Sequence, residues 1–450
     1  MRSVRTTYGE VSGITVDGCE EFLGVPFARP PVGDLAFRHP VPPNPWKGVR
    51  RCDHGSANPI QAQNAFSVGK NSEDCLYLNI FVPENRTEKL PVMVWLFGGS
   101  YATGGIGSKS ETDPSLLYEL GFFARATDTI VVSVNYRLNL YGFMNLRFLS
   151  DRFDMNNGLY DQAMALDFIR DNIEAFGGDR ENITVFGQSA GGSCALSLMV
   201  SDFTSSLFQR AIVQSACIDH FWTEEESEKI TRKFLHLLGV SVRSPEALLT
   251  LDHGRVTDAI QKLDRKLLLK GEIRCTFSPV IDGVFLKDTP KRLMRTCRHD
   301  LLIGHTAQEA NLYVKDLPKQ LLPLASSLFH IRPEKGDAPL EKRLSDALTD
   351  VIYHAPMEEI IADYPGKLWV YLFSYVTPQL EQKALGACHI SDLAVLFHVN
   401  TPFCDIFDTQ TSRVGHQMRQ IWSAFAHGQL QEPEYHRSHE VIDFKSSVLN

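Results

Sequence analysis

Strand-length apolar runs set the rhythm of the chain. "LPVMVWLF" at 90–97, "DTIVVSVNY" at 128–136 and "NITVFG" at 182–187 are rich in β-branched residues with few polar interruptions, as in strands buried on both faces. Between them the period becomes helical. "GLYDQAMALDFIRDNIEAFG" at 158–177 puts Leu159, Ala163, Leu166, Ile169, Ile173 and Phe176 on one face, and Gly177-Gly178 ends the helix. "LLYELGFFARA" at 116–126 and "SAGGSCALSLMVS" at 189–201 predict two further helices. Alternation of this kind implies an α/β fold whose central sheet is largely parallel and covered by helices on both faces.

Before residue 90 the pattern is broken by Pro and Gly, as in "FLGVPFARPPVGDLAF", and predicts loops and short strands. Beyond 210, "RAIVQSA", "DLLIGH" and "LWVYLFSY" supply three more core strands. The stretches 222–270 and 310–362 are charged and read as helical excursions that could form a cap. With no internal repeat or low-complexity segment, residues 1–450 are expected to form one domain.

Composition narrows the function classes. With 43% hydrophobic and 22% charged residues the chain is an ordinary globular protein, long enough to bury roughly 75% of its unfolded surface. A net charge of -9 with no cluster of Lys and Arg argues against nucleic acid as a partner. The apolar runs fall short of the ~20 residues of a membrane helix, so no membrane span is expected. After Arg2 and Arg5 the chain turns polar where a signal peptide would become apolar, and a cytoplasmic, monomeric protein is expected. Nine cysteines without CxxC pairs read as thiols, and the sequons at Asn85 and Asn182 as accidental. No cofactor or metal is called for.

The candidate chemistry centres on "NITVFGQSAGGSCAL" at 182–196. A strand that turns at once into a helix strains the residue at the bend, and only small neighbours let it close. Gly187 and Gly191 frame Ser189 as G-x-S-x-G, the form of a nucleophile elbow. A bare match could be a Gly-rich helix start, but the strand before and helix after favour the elbow. An acyl-transfer nucleophile also needs donors for its oxyanion. "VMVWLFGGSYATGG" offers a glycine loop after a strand, and by position the donors are the N–H groups of Gly99, Ser100 and Ala190. A phosphate loop is the rival reading of "GGIGSKS", but Ser108 separates Gly107 from Lys109 where G-K-[ST] must be contiguous.

A serine needs a base and the base an orienting acid, in the order Ser, Asp or Glu, His for this fold type. Among fifteen histidines, His389 in "GACHISDLAVLF" fits best, freed from steric cover by Gly386 and Ala387. For the acid, Glu309 in "DLLIGHTAQEANLY" follows an apolar run, while Asp282 in "SPVIDG" competes but resembles a turn-former. Spacing does not choose between them. Phe277, Phe285 and Phe397 could line an acyl pocket or be plain core, and Trp422 and Phe425 read as packing.

These segments resemble the type-B carboxylesterases, the family of the cholinesterases and bacterial p-nitrobenzyl esterase-like enzymes. "FLGVPFARPPVG", "SEDCLYLNIFVP", "VNYRLNLYGF", "GLYDQAMAL", "FGGDRENITVFGQSAGG" and "GACHISDL" carry the resemblance, which runs from about 8 to 430. It implies an α/β-hydrolase fold and a serine esterase with Ser189 as nucleophile, Glu309 as acid, His389 as base, and Gly99, Ser100 and Ala190 as oxyanion donors. It also implies a small-molecule ester substrate, apolar and of small to medium size. Non-catalytic adhesion proteins of the same fold, and lipases, thioesterases or amidases, are the alternatives. Four departures stand out. Gln188 occupies a position where many relatives carry Glu, which would put it beside the substrate without a charge. Residues 59–74 offer only Phe66 where cholinesterases have a tryptophan, so choline esters are poor candidates. No cysteine between 53 and 74 can pair with Cys75, which is expected to stay reduced. The gap from Glu309 to His389 is short for the family, so the cap should be reduced and the site more open.

Overall fold

The computed structural model describes residues 2–62, 69–106, 118–315, 317, 319–328 and 338–445. Phe66 and the Gly107-Ser108-Lys109 stretch lie outside the described residues, as do the first residues of the helix expected at 116–126.

A ten-stranded sheet forms the core. In chain order its strands are β1 (Ile14–Val16), β2 (Cys19–Pro26), β3 (Tyr77–Pro83), β4 (Leu90–Leu96), β5 (Ile130–Val134) and β6 (Gly178–Gln188). β7 (Arg210–Gln214), β8 (Asp300–Thr306), β9 (Leu368–Phe373) and β10 (Val441–Phe444) complete it. The spatial order is 10-9-8-7-6-4-5-3-2-1. Every pair from β10 across to β5 is parallel, with β6 between β4 and β7. The three pairs among β5, β3, β2 and β1 are antiparallel, so the sheet is mixed at one end. That difference follows from the connections: β1 and β2 are joined by a two-residue turn at Asp17-Gly18, too short for a parallel crossover. β4 and β5 are buried at every position, as their unbroken apolar sequence requires.

Helices cover the sheet. α1 (Leu120–Thr127), α2 (Asn157–Phe176) and α3 (Ala190–Val200) follow β4, β5 and β6 in the chain. α2 ends where Gly177 takes a left-handed φ of 96° and its N–H bonds back to Glu174 and Ile173. Two motif segments are locked together by a buried ion pair: Arg137 reaches both carboxylate oxygens of Asp161 on α2, at 2.8 and 2.6 Å, and also donates to the Arg38 carbonyl. The excursion at 222–270 resolves into α4 (Glu224–Leu238), closed by a Thr223/Glu226 capping box, and α5 (His253–Leu268). The described part of 310–362 holds short helices, then α6 (Leu340–Thr349), a π-helical turn at Asp350–His354, and α7 (Ala355–Asp363). No helix among the described residues is long and apolar enough to cross a membrane.

Candidate active site

β6 ends at Gln188 and α3 begins at Ala190, so the reversal is made in one residue. Ser189 has φ 56° and ψ −125°, a conformation that non-glycine residues rarely adopt. Its N–H is anchored to the Gln214 carbonyl of β7 at 2.8 Å. The flanking glycines are there for want of space. A Cβ on Gly187 would lie 2.5 Å from the Gly191 carbonyl oxygen, and one on Gly191 only 2.1 Å from that of Leu96. Any side chain there would force β4 and β6 away from the bend.

The loop after β4 closes on the same point. A Cβ on Gly98 would meet the Gln188 carbonyl oxygen at 2.7 Å and the Ser189 Cβ at 3.0 Å, which shows how closely the loop presses on the elbow. Gly99, Ser100 and Tyr101 all carry positive φ, at 113°, 54° and 58°. The turn is held by the N–H groups of Ala102 and Thr103, which both donate to the Gly99 carbonyl at 3.0 Å. The Gly99 and Ser100 amides find no acceptor among the described residues, and Ala190 heads α3, where a helix leaves its first N–H groups free.

Two distant segments bring the other groups to the elbow. Residues 308–309, after β8, run against 387–389: the Gln308 N–H donates to the Ala387 carbonyl at 2.9 Å, and the His389 N–H to the Glu309 carbonyl at 3.1 Å. The Ala387 N–H in turn donates to Gln308 Oε1 at 2.8 Å. Gly386, at φ 61°, makes this possible, because a Cβ there would stand 2.0 Å from Gln308 Oε1. The side chains then pair. His389 Nδ1 is 2.5 Å from Glu309 Oε2, and the other carboxylate oxygen accepts the Thr306 N–H at 2.7 Å. Burial of Glu309 works to raise its pKa, but the charge and hydrogen bond of His389, with His305 nearby, hold it below the usual carboxylate range. With Nδ1 donating to Glu309, the His389 Nε2 lone pair is left to accept, and it receives a hydrogen bond from the Gln188 side-chain amide at 3.2 Å. Gln188 therefore contacts the base and does not line the cavity, which corrects its expected place against substrate.

Sequence reasoning missed several neighbours. The rings of Tyr313 and Tyr353 lie 5.5 and 5.3 Å from that of His389, and their hydroxyls are 3.0 Å apart. Tyr353 is carried on the π-helical turn, a distortion often found at functional sites. Nothing in the irregular pattern of 310–362 signals either one. Behind His389, buried Asp392 accepts from the Gln214 side-chain amide at 3.2 Å, and Gln214 accepts from the Trp422 indole at 3.4 Å. Burial first, and then the charge of Glu309, push the Asp392 pKa up to about 6.

A cavity of about 500 Å³ opens over Ser189. Ser100, Ala102, Cys217 and Phe277 form its inner wall, and Leu267, Leu269, Leu324, Leu328, Leu344 and Leu348 belong to its outer one. Phe277 lines the cavity. Phe397 does not: it packs edge-on to Trp95 at 5.0 Å and Phe123 at 5.1 Å, in the core beside the sheet. Phe285 also lies off the cavity, stacked on Phe203 at 5.5 Å. Phe397 is core because its partners are rings that the strands and helices bury, whereas Phe285 is itself buried beneath the half-exposed Phe203. Asp282 caps a turn by accepting the N–H groups of Val284, Phe285 and Leu286, and so is not free to pair with His389.

A model of the carboxylesterase family matches residues 1–331. The chain belongs to this family. As a carboxylesterase it is 32% identical over 399 residues to the para-nitrobenzyl esterase of Bacillus subtilis, covering 83% of this chain and 78% of that one. It is 36% identical to gut esterase 1 of Caenorhabditis elegans, over 69% of this chain and 54% of the other. A thermophilic pNB esterase structure superposes with a TM-score of 0.86 at 28% identity, covering 100% of this chain and 97% of its own. The Geobacillus stearothermophilus carboxylesterase gives 0.82 at 28% identity, covering 99% and 97%. The fold is thus the α/β-hydrolase fold, and this carboxylesterase is a carboxylic ester hydrolase.

Proposed function

We propose that Ser189 attacks the ester carbonyl while His389 takes its proton, that Glu309 holds the imidazole in the productive tautomer, and that Gly99, Ser100 and Ala190 receive the oxyanion. The observation that carries this is the 2.5 Å contact of His389 Nδ1 with Glu309, made by a ring whose other nitrogen faces the residue before the strained Ser189. Attack closes a C–O bond to the serine and puts negative charge on the carbonyl oxygen, where each free amide is worth about 2.7–4 kcal/mol in the transition state. Collapse expels the alcohol with the proton from His389, and water repeats the cycle to release the acid. The imidazole must be neutral to act as base, so turnover falls in acid.

The substrate is a neutral ester with an apolar acyl or alcohol part. Phe277 and the leucine wall favour that, and of the two cavity-lining carboxylates Glu272 is neutralised by Arg274. The excursions at 222–270 and 310–362 act as the cap, since both contribute cavity-lining residues. Nine free cysteines suit a reducing, cytoplasmic setting. p-Nitrophenyl esters of increasing acyl length test the reading: Ser189→Ala and His389→Ala should each lose on the order of 10⁴-fold or more in kcat. Equal rates in wild type and Ser189→Ala, or a pH profile flat from about 5 to 8, would overturn it.

A further inference from the structure

The cavity wall next to Ser189 holds a group of side chains that the ester chemistry does not use. Cys217 follows β7, His220 comes three residues later, and Cys275 arrives from the far end of the 222–270 excursion. The chain closes there through a two-stranded parallel ribbon, Trp222–Thr223 against Val280–Ile281, and through the Trp222 indole, which donates to the Cys275 carbonyl at 3.2 Å. The two sulfurs and one imidazole nitrogen all lie within 4.8 Å of one another, and all three residues line the cavity together with Ser100 and Ser189. We propose that Cys217, His220 and Cys275 form a binding site for a thiophilic divalent cation, Zn(II) foremost, whose fourth coordination position opens into the ester-binding cavity.

Geometry and donor chemistry both support this. A tetrahedral zinc site with Zn–S of about 2.3 Å and Zn–N of about 2.0–2.1 Å has edges of roughly 3.5 Å from sulfur to nitrogen and 3.8 Å from sulfur to sulfur. Cys275 Sγ and His220 Nδ1 already stand 3.4 Å apart, and the two edges to Cys217 Sγ, within 4.8 Å, are brought in by side-chain rotation. His220 Nδ1 also accepts the Cys275 backbone N–H at 3.2 Å, so this nitrogen carries the lone pair, and a metal taking it would displace that bond. Two thiolates and a neutral imidazole would exactly neutralise a doubly charged ion, and this donor set selects zinc over magnesium or calcium, which need oxygen. Three protein ligands leave one position open. A metal there would crowd the space that the acyl group needs, so zinc should inhibit reversibly; that consequence rests on the proposed role of Ser189, whereas the binding itself does not.

The test uses the full chain, reduced and stripped of metal, titrated with Co(II). One equivalent should produce thiolate-to-cobalt charge-transfer absorption and the intense visible bands of tetrahedral cobalt, and Zn(II) should abolish them at one equivalent. Cys217→Ser and Cys275→Ser should lose the charge-transfer band, His220→Ala should bind at least tenfold more weakly, and Cys404→Ser should keep the wild-type spectrum. Because a cavity variant can misfold, Zn(II) protection of Cys217 and Cys275 in the wild type from iodoacetamide, read by peptide mass spectrometry, provides a second measurement. No band in the wild type, a full band in the Cys217→Ser/Cys275→Ser double variant, or alkylation indifferent to zinc would overturn the site. Zinc should also slow p-nitrophenyl ester turnover at least tenfold in the wild type and not in the double variant, and unchanged turnover with the band present overturns the inhibition. A metal-free protein with no esterase activity would instead sink the assignment of Ser189, and the cobalt spectrum would still decide the metal site.

Discussion

The elbow and the outer cavity wall face each other across the same space and are built on opposite terms. At the elbow the backbone does the work: Ser189 at a positive φ, Gly187 and Gly191 with no room for a Cβ, and amides of Gly99 and Ser100 left without acceptors among the described residues. The outer wall is side chains on short helices, and several are large, apolar and open to solvent, with Leu269 53%, Leu324 48% and Leu328 40% exposed. Chemistry common to all esters needs fixed dipoles, whereas choice among esters needs only area of the right kind. Substitutions near the elbow should therefore act on kcat for every substrate, and those in the wall on the ranking of substrates.

The largest effect is expected from Glu309→Gln. The amide can still hydrogen-bond His389, but it loses the charge that stabilises the imidazolium and can hold the wrong tautomer, so kcat should fall about 10³–10⁴-fold for short and long esters alike. A fall confined to long-chain esters would place Glu309 in the wall's class. Its stability contribution has a definite sign. The folded pKa is depressed, so the contribution is present above the ordinary glutamate range and is lost as pH falls through the folded value. Next comes the scaffold under the elbow. Asp161→Ala leaves Arg137 buried without its partner and should cost about 3–5 kcal/mol in chemical denaturation. A loss under 1 kcal/mol would mean that the two motif segments are held together by something other than this pair.

Asp392→Asn should give a smaller, pH-dependent change. A folded pKa raised to about 6 means that the protonated form is favoured in the fold, so its stabilisation is present below the unfolded pKa and is lost as pH rises through 6. The variant escapes that loss. Its stability relative to wild type should therefore improve between about pH 4 and 8, by at most roughly 3 kcal/mol from the size of the shift. A pH-independent difference in denaturation midpoint would mean that Asp392 does not change ionisation over that range.

The same contrast separates what the sequence made legible from what it hid. Ser189, its glycines and the glycine loop announce themselves because a backbone that must bend in one residue restricts the local residue types. His389 could be singled out by the small residues before it, but Glu309 and Asp282 stayed level on spacing. What separates them is a tertiary fact: Glu309 is tied to the 387–389 segment by backbone bonds, while Asp282 spends one oxygen on its own turn and the other on the Asn156 side-chain amide. Phe277 and Phe397 looked alike as sequence, yet one lines the cavity and the other stacks in the core, since a lone aromatic carries no sign of which surface will face it. Tyr313, Tyr353 and the Cys217, His220, Cys275 group were illegible for the same reason. Their partners come from segments with no periodic pattern, assembled only when the excursions close over the sheet.

The smallest effect, and the one that sharpens the contrast most, concerns Leu324 and Leu328 on the short helix Leu322–Leu328. Both line the cavity while remaining exposed, so truncation leaves no sealed void and should cost little stability. What it removes is apolar contact for the distal part of a long acyl chain. A short acyl group reaching no farther than Phe277 should be hydrolysed as before, while a chain long enough to reach the helix loses burial worth about 1–3 kcal/mol. In the double variant Leu324→Ala/Leu328→Ala, kcat/KM for a p-nitrophenyl ester of a long-chain acid should drop about tenfold with that for the acetate unchanged. An equal drop for both would show the outer wall steering the reaction at the elbow. No drop for either would mean that the acyl chain leaves the cavity by another route.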